Sequence, residues 1–229
     1  MTRRRVFPVG QSKHEAHVRV RRPEILASTI ALAREQGLSN VRLADVARRA
    51  GTSPTGVIYY FASKDQLFEQ VVAEADTSFY AALLPELARL ESGIDRMAWL
   101  AVRASHSEWP LWMDTWLLAR RNHEMRAAEQ GYENRWCEII AETIRHGRER
   151  NEFHCRDVDE VAVRLAAITE GLAVHMVLEH PGRTREHCVS TSLKAAAIEP
   201  GCDEAALSQA AAKVPVPIAN PSFNPEGTP

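Results

Sequence analysis

Two short helical segments separated by a tight turn constrain this chain more than any other feature of its sequence. The second segment opens with Ser53-Pro54, a capping residue followed by proline at the first helical position. Val57 and Phe61, four residues apart, can pack this segment against the first. With the turn at Ala50-Gly51-Thr52, the stretch from Val41 to Lys64 has the sequence pattern of a helix-turn-helix. The first segment has an apolar stripe with i, i+3, i+4, i+7 spacing, formed by Leu43, Val46, Ala47 and Ala50.

Small or hydrogen-bonding side chains are left over on the second segment, and such side chains suit a nucleic-acid groove and its phosphates. They are Thr55, Gly56, Tyr59 and Tyr60. On the first segment, Arg42 lies outside the apolar stripe. For the two tyrosines a second interpretation stays open, because a three-helix domain also needs aromatic packing and both would then be core residues.

The charge of the chain is divided between its two parts. Residues 1–65 carry 12 Lys and Arg against 5 Asp and Glu, whereas residues 66–229 carry 16 against 25. The basic first part suits a polyanion, and the acidic remainder suits a small cation or an uncharged partner. A basic surface that is merely solvated is the alternative.

Helical periodicity continues from Pro23 to Ile198, and the alternating β-branched runs that strands need do not occur. We therefore expect an all-α protein with an N-terminal three-helix domain, which contains the helix-turn-helix, and a C-terminal helical domain. The predicted organisation is a basic flexible arm over 1–21, the helix-turn-helix domain over 22–66, the helical domain over 67–198 and a Pro-rich tail over 199–229.

Several helix ends can be predicted from capping residues. The first helix should begin with Pro23 in its first turn and stop at Gly37, and Asn40 should cap the next helix. Ser63 should cap a fourth helix that is interrupted at Pro85. Because this fourth helix leaves the first domain and continues into the second, we expect it to act as a lever between them.

The sequence contains no signal for catalysis or for a cofactor. A nucleophile with a base at motif spacing, an HExxH motif and a phosphate-binding glycine loop are all absent, so we predict neither an enzyme nor a metal site.

No run of about 18 apolar residues is present, and no apolar signal core follows the Arg-rich start, so we expect a cytoplasmic protein without a membrane partner. Reduced thiols are expected, because no regular spacing relates Cys137, Cys155, Cys188 and Cys202.

The run LADVARRAGTS from Leu43 to Ser53, followed by YYFASKDQL from Tyr59 to Leu67, resembles the DNA-binding domain of the tetracycline-repressor (TetR) family of bacterial transcriptional repressors. The resemblance covers about residues 23–70. It implies a homodimer whose two recognition helices enter major grooves of a pseudo-palindromic operator in double-stranded DNA. It also implies a small-molecule inducer bound inside each C-terminal domain.

By this resemblance, Tyr59 and Tyr60 contact phosphates or base edges and Lys64 pairs with a phosphate. The family most often has glycine where Thr55 stands and tyrosine where Ile58 stands, so one phosphate contact is expected to be missing here. The predicted DNA-contact residues are Arg42, Thr52, Ser53, Pro54, Thr55, Gly56, Tyr59, Tyr60 and Lys64.

Three tryptophans, Trp109, Trp112 and Trp116, share one face of a predicted helix, which is either core or pocket. If it is a pocket, an organic cation is the hypothesis, since indoles are good partners for bound cations and the surrounding domain is acidic. The candidate counter-charges are Glu108, Asp114 and Glu170. His175 can line the same cavity or be a packed core residue. The predicted ligand-binding residues are Trp109, Trp112, Met113, Trp116, Trp136, Glu170 and His175.

The tryptophan segment and the long helix after it are similar to the choline-sensing betaine-synthesis repressor branch of the family, over about residues 85–195. The family resemblance implies that the last two helices, Val161–Glu179 and Thr184–Ile198, form the dimer interface. Small residues there would allow close helix approach, namely Ala166, Ala167, Gly171, Ala173, Ala195, Ala196 and Ala197.

We thus predict a ligand-responsive transcriptional regulator, a repressor released by an inducer. The alternative is a ligand-independent activator or architectural DNA-binding protein.

Overall fold

The computed structural model describes residues 13–104 and 109–215. In these two ranges the chain forms ten α helices and a 3-10 helix, Leu38–Asn40, with no strand, which confirms the all-α prediction. The chain divides after Val71 into two compact units. The helices are α1 Lys13–Gln36, α2 Leu43–Arg49, α3 Pro54–Phe61, α4 Lys64–Arg89, α5 Gly93–Ala104, α6 Trp109–Ala119, α7 His123–Glu149, α8 Val158–Val177, α9 Arg185–Ile198 and α10 Glu204–Ala211.

The first unit is built around a small apolar core to which α1, α2 and α3 all contribute. Thr29 is buried in α1 at no cost in hydrogen bonding, because its hydroxyl donates to the Ile25 carbonyl at 2.8 Å. The buried side chains of this core are Ile25, Leu38, Val41, Val46, Ala47, Val57, Phe61, Leu67, Phe68 and Val71.

The beginning of α1 differs from the prediction. The helix starts at Lys13, so Pro23 lies inside it and residues 13–21 are helical rather than a flexible arm. Arg21, assigned to that arm by its charge, donates from Nη1 to the Ala50 carbonyl at 3.4 Å, at the end of α2. Residues 1–12 of the predicted arm lie outside the described residues.

Two capping predictions have opposite outcomes. Ser63 does cap α4, since its Oγ accepts from the Gln66 amide at 3.0 Å. Asn40 does not cap α2, because its side-chain amide turns back and donates to the Gln36 carbonyl at 2.7 Å. The residue at the cap position of α2 is Arg42, which has extended backbone and makes no capping bond with its side chain.

The second unit packs α5, α7, α8, α9 and α10 around one hydrophobic core. The predicted stop at Pro85 is wrong, because α4 continues through this proline to Arg89. The large buried side chains of the core include Leu83, Met97, Ile140, Ile144, Phe153, Val161, Leu165 and Leu207. No helix in the described ranges is both long and apolar enough to span a membrane.

The small residues expected at the dimer interface face in different directions. Ala166, Ala173, Ala196 and Ala197 are buried in the unit's own core, so they cannot meet a partner chain. Ala167 and Gly171 are exposed on α8.

The predicted tail contributes to the second unit. Leu207 and Ala210 of α10 are buried in its core, and α10 packs against α5 and α9. The Pro200 carbonyl accepts from the backbone amides of His154 and Cys155 at 2.8 and 3.0 Å, which ties the segment after α9 to the loop after α7. Residues 216–229 lie outside the described residues.

Candidate functional site

Helix α3 presents a polar N-terminal end to solvent. Ser53 caps the helix, with its Oγ accepting from the Gly56 amide at 3.0 Å, and the side chains of Ser53, Pro54 and Thr55 are exposed. Val57 and Phe61 on the opposite face are buried, as their spacing predicted. Burying these two side chains fixes which face of α3 can meet another molecule.

Gly56 has a structural reason to be glycine at this place. A Cβ atom at Gly56 would lie 2.5 Å from Oγ1 of Thr52 and 3.3 Å from Oγ of Ser53. The absence of a side chain therefore lets the turn hydroxyls approach the backbone of α3. This packing shapes the exposed end of α3 whether or not Gly56 itself touches a ligand.

The two tyrosines of α3 have different environments. Tyr59 is 61% exposed and is therefore not a core residue, whereas Tyr60 is half-buried. Their rings meet edge to face with centroids 5.3 Å apart. Lys64, at the start of α4, places Nζ 4.9 Å from the centroid of the Phe68 ring, and Arg42 is exposed before α2. Tyrosine hydroxyls and cationic side chains are both groups that bind phosphate oxygens.

The second unit contains an open cavity; its interior and the open solvent at its mouth together occupy about 550 Å³. Ala104 at the end of α5 completes a wall built mainly from α4, α6, α7 and α8. The wall consists of Asp76, Phe79, Tyr80, Ala104, Trp109, Trp112, Trp116, Glu129, Tyr132, Glu133, Trp136 and Glu170.

The tryptophans of α6 line this cavity instead of filling the core. Trp109, Trp112 and Trp116 are half-buried and belong to the cavity wall, which favours the pocket interpretation of this helix face over the core interpretation. Trp109 also has a structural contact, because its Nε1 donates to the Ala104 carbonyl at 2.7 Å. The Trp112 ring packs edge to face against Tyr132, with centroids 5.7 Å apart.

Trp136 and Glu170, predicted from α7 and α8, also belong to the cavity wall. The Trp136 ring lies 6.1 Å from that of Phe79, and its buried Nε1 has no hydrogen-bond partner among the described residues. An unpaired buried donor costs free energy, so its place in a cavity wall is consistent with a site that receives a ligand.

Two predicted ligand residues lie outside the cavity wall. Met113 follows Trp112 directly, which turns its side chain about 100° around α6. His175 is five residues beyond Glu170 on α8, and its Nδ1 forms a 2.7 Å hydrogen bond with Nδ1 of His180. Of the other candidate acids, Asp114 is not in the wall, and Glu108 lies outside the described residues.

Sequence reasoning missed seven of the twelve residues of the cavity wall, although a signal for six of them was present. On α7 an acidic and aromatic stripe has i, i+3, i+4, i+7 spacing, formed by Glu129, Tyr132, Glu133 and Trp136. On α4 a shorter stripe has i, i+3, i+4 spacing, formed by Asp76, Phe79 and Tyr80. Acids and aromatics on one helix face are unusual in a dry core, and this mixture indicates a pocket.

The carboxyl groups in the cavity wall influence one another. Burial raises the pKa of Glu170 to about 8, and its hydrogen bond with Glu133 and the negative charges of Glu133 and Glu129 act in the same direction. Burial and the neighbouring Glu133 likewise raise the pKa of Glu129. The cavity therefore holds more carboxyl groups than it can keep ionised without a positive partner.

Arg135 supplies a positive counter-charge to one acid of the cavity wall, Asp76. Arg135 Nη1 lies 3.1 Å from Asp76 Oδ2, and its guanidinium carbon lies 3.8 Å from the centroid of the Tyr80 ring. Burial raises the pKa of Asp76, and Arg135 partly opposes this rise. Burial also raises the pKa of Tyr80, so its hydroxyl stays neutral. Among the described residues, no group of three or more His, Cys, Asp or Glu side chains is placed to hold a metal ion.

The chain has a helix-turn-helix unit and a second helical unit that contains an acidic, tryptophan-lined cavity. This combination is typical of a helical DNA-binding regulator. Residues 25–71 match the family described as bacterial regulatory proteins, tetR family, and residues 88–197 match the C-terminal domain of BetI-type transcriptional repressors. These two ranges make up more than two thirds of the chain. The chain therefore belongs to the tetR family of transcriptional regulators.

Individual relatives are distant in sequence. The HTH-type transcriptional regulator BetI of Escherichia coli O45:K1 is 24% identical over 168 residues, which are 69% of this chain and 83% of BetI. A transcriptional regulator from Saccharomonospora viridis, solved in complex with choline, is 26% identical with a TM-score of 0.73, over 79% of this chain and 96% of that one.

A third similarity shows the fold alone. FadR from Bacillus subtilis, solved in complex with stearoyl-CoA, is 12% identical with a TM-score of 0.62, over 78% of this chain and 97% of FadR. Two solved proteins with this fold thus hold chemically different ligands. The fold alone therefore identifies no ligand for this chain.

Proposed function

We propose that this chain is a repressor that binds its operator as a homodimer and is released when an organic cation, with choline as the first candidate, enters the cavity. The observation that carries this proposal is the composition of the cavity wall. Trp109, Trp112, Trp116 and Trp136 supply indole faces there, while Glu129, Glu133 and Glu170 supply carboxyl groups that a bound cation would help to ionise.

An organic cation suits this wall for two physical reasons. Indole faces attract a cation by about 0.5–2 kcal/mol each, depending on how far water is excluded. The carboxyl groups gain from a positive neighbour, since the raised pKa values of Glu129 and Glu170 reflect burial and mutual repulsion. The choline complex of the Saccharomonospora viridis regulator supports the same ligand class.

The exposed end of α3 supports a DNA-reading role for the first unit. Ser53, Pro54 and Thr55 are accessible there, and Tyr59 extends from the same helix with 61% of its surface exposed. Lys64 adds a cationic side chain at the start of α4. We propose that the first residues of α3 contact base edges, and that Tyr59 and Lys64 contact phosphates.

Helix α8 supports the proposed homodimer. Val163 and Leu178 are 51% and 58% exposed, and Ala167 and Gly171 are exposed between them. Gly171 lies inside the helix, where glycine costs up to about 1 kcal/mol relative to alanine, yet none of the described residues occupies the space of its missing Cβ. A partner helix that approaches closely would explain why a glycine is placed there.

Release from the operator is proposed as a shift between two conformations. The ligand must bind the DNA-incompetent conformation more tightly, because equal affinity for both would shift nothing. Helix α4 is a candidate for transmitting the change, since it begins with Lys64 and supplies Asp76, Phe79 and Tyr80 to the cavity. The open cavity favours this ligand-responsive function over ligand-independent DNA binding.

The experiment measures operator affinity by fluorescence anisotropy at one salt concentration, with DNA taken from beside the gene. We expect choline to weaken operator binding about 5–150-fold, the usual range of allosteric coupling. The uncharged isostere dimethylbutanol, which has the shape of choline without its charge, is the matched control and should have no effect. Release by neutral ligands alone would overturn the cation proposal, and DNA binding that no ligand changes would favour the ligand-independent alternative.

A further inference from the structure

We infer that an organic cation entering the cavity displaces the single proton that Glu133 and Glu170 share, so that ligand binding is coupled to pH. This inference rests on the proposed function, because it takes the proposed cation as the ligand. It adds a regulatory property to the cavity that the cation hypothesis alone does not contain.

The hydrogen bonds around Glu133 locate the proton. The carboxyl groups of Glu133 and Glu170 are hydrogen-bonded to each other, and since two carboxylates offer only acceptors, one of them carries a proton. Cys137 Sγ lies 3.3 Å from Glu133 Oε1, and burial raises the pKa of this thiol to about 12, so the thiol is protonated and donates. Because the hydrogen bond to Glu133 raises the pKa of Glu170, we assign the shared proton to Glu170, which donates it to Glu133.

None of the other charged groups around Glu133 and Glu170 takes the place of Glu170 as the proton donor. On α7, Glu129 faces Glu170 as a like charge. From α4, Asp76 is paired with Arg135 of α7, so this acid has its own counter-charge. The remaining ionisable wall residues are Tyr80 and Tyr132. In the described ranges, α9, which also packs on α8, contributes no residue to the wall, and α6 contributes no ionisable one.

The coupling follows from the charge of the ligand. A cation favours the ionised form of a carboxyl group beside it, so the O–H bond of Glu170 breaks and its proton passes to the buffer. With a pKa of about 8, Glu170 is roughly 90% protonated at pH 7 in the ligand-free protein. Close to one proton should therefore leave for each cation that binds. By reciprocity, protons must weaken cation binding.

Calorimetry of choline binding tests this inference, because the charge of choline does not change with pH. Titrations at pH 7 in phosphate and in Tris, which differ in their heat of ionisation, count the protons released. We expect about one proton for the unchanged chain, and a Kd that falls up to about tenfold from pH 6 to pH 7. In Glu170→Gln the proton release should vanish and the Kd should become independent of pH.

Two further measurements separate this coupling from a general structural effect. Glu142→Gln makes the same change at an exposed position of α7 and should keep the proton release. The infrared band of protonated carboxyl groups in the unchanged chain at pH 7 should weaken when choline is added, and this measurement does not require any variant to fold. Choline binding without proton release, or an infrared band that persists, would overturn the inference and leave the proposed function intact. No choline binding from pH 6 to pH 9 would overturn the proposed cation ligand and the inference together.

Discussion

Arg135 and Asp76 form an ion pair of unequal burial: the side chain of Asp76 is 7% exposed, that of Arg135 is 45% exposed, and Nη1 lies 3.1 Å from Oδ2. The arginine also covers the ring of Tyr80. A buried acid that depends on a half-exposed base makes this contact a sensitive point beside the cavity.

Arg135→Gln should destabilise the chain by about 1–3 kcal/mol at pH 7, because it leaves a buried carboxylate without its counter-charge. The cost should be smaller near pH 4. Without Arg135 the pKa of Asp76 rises further above its unfolded value, so the folded state holds the extra proton and stability falls as pH rises. Thermal unfolding at both pH values is the measurement. The double variant with Asp76→Asn should recover most of the loss, and a double variant as unstable as the single one would contradict this explanation.

Glu170→Gln should stabilise the ligand-free chain at pH 8 while changing little at pH 4. The folded pKa of about 8 lies above the unfolded value of 4.5, so the unchanged chain loses stability as pH rises through this interval, and glutamine cannot lose a proton. We expect Tm to rise by about 2–4 °C at pH 8, the shift that ~1 kcal/mol gives a chain of this size. Glu142→Gln is the control and should leave Tm unchanged at both pH values; an equal rise in both variants would contradict the prediction.

Trp116→Ala should weaken choline binding about 2–30-fold through the loss of one indole face, which contributes ~0.5–2 kcal/mol. Trp116 is the preferred site for this substitution. Trp109 also donates a hydrogen bond to the Ala104 carbonyl, so its removal would disturb folding. Tryptophan fluorescence quenching and calorimetry provide the affinities. Leu117→Ala, on the exposed face of the same helix, should bind choline normally. Equal losses in both variants would indicate damage to α6 rather than loss of a cation contact.

Lys64→Gln should weaken operator binding and reduce the slope of log affinity against log salt by about 1, because one phosphate contact releases about one counterion. The loss should be similar for operator and unrelated DNA, since a phosphate contact does not read sequence. Lys213→Gln removes the same charge from an exposed residue after α10 and should change neither quantity. A salt slope that stays constant in Lys64→Gln would remove Lys64 from the DNA contact set.

Gly171→Leu should convert the proposed dimer into monomers in analytical ultracentrifugation, because a bulky side chain would separate the paired α8 helices. Gly131→Leu is a matched control. Both glycines are exposed inside a helix, and apart from the helix's own backbone no described residue lies within 4 Å of the position that a Cβ atom would take. Both positions therefore have comparable room for a larger side chain. A dimer that survives Gly171→Leu would place the interface elsewhere.

The fold could be predicted where a local pattern determined the structure. Ser53-Pro54 fixed the start of α3, and Val57 and Phe61 fixed its buried face. Local rules failed where tertiary contacts dominate. Pro23 does not mark the first turn of α1, which begins at Lys13, and Pro85 does not interrupt α4, which continues to Arg89. A proline inside a helix costs one backbone hydrogen bond, and the sequence near it does not tell whether the rest of the helix outweighs this loss.

The wall of the candidate cavity could be predicted only in part, for a similar reason. The tryptophans of α6 were recognisable because three large rings share one face. Glu129 and Glu133 resemble ordinary solvated residues of a long helix until α8 brings Glu170 next to them. Such a meeting of distant carboxyl groups depends on how helices pack, which the sequence of a single helix does not contain. Met113 and His175 lie outside the cavity wall, because proximity in sequence does not fix a side chain's direction around a helix.

Helix α10 lies beyond residues 88–197, the range that matches the BetI-type repressor domain, yet Leu207 and Ala210 are part of the same core as α5. Chimeric regulators that join the operator-reading unit of another protein to the second unit of this chain should therefore retain the chain at least through Val214, which packs on that core. A chimera that ends at Ile198 would expose apolar surface of α5 and would tend to aggregate, which could be mistaken for a sensor that fails to respond.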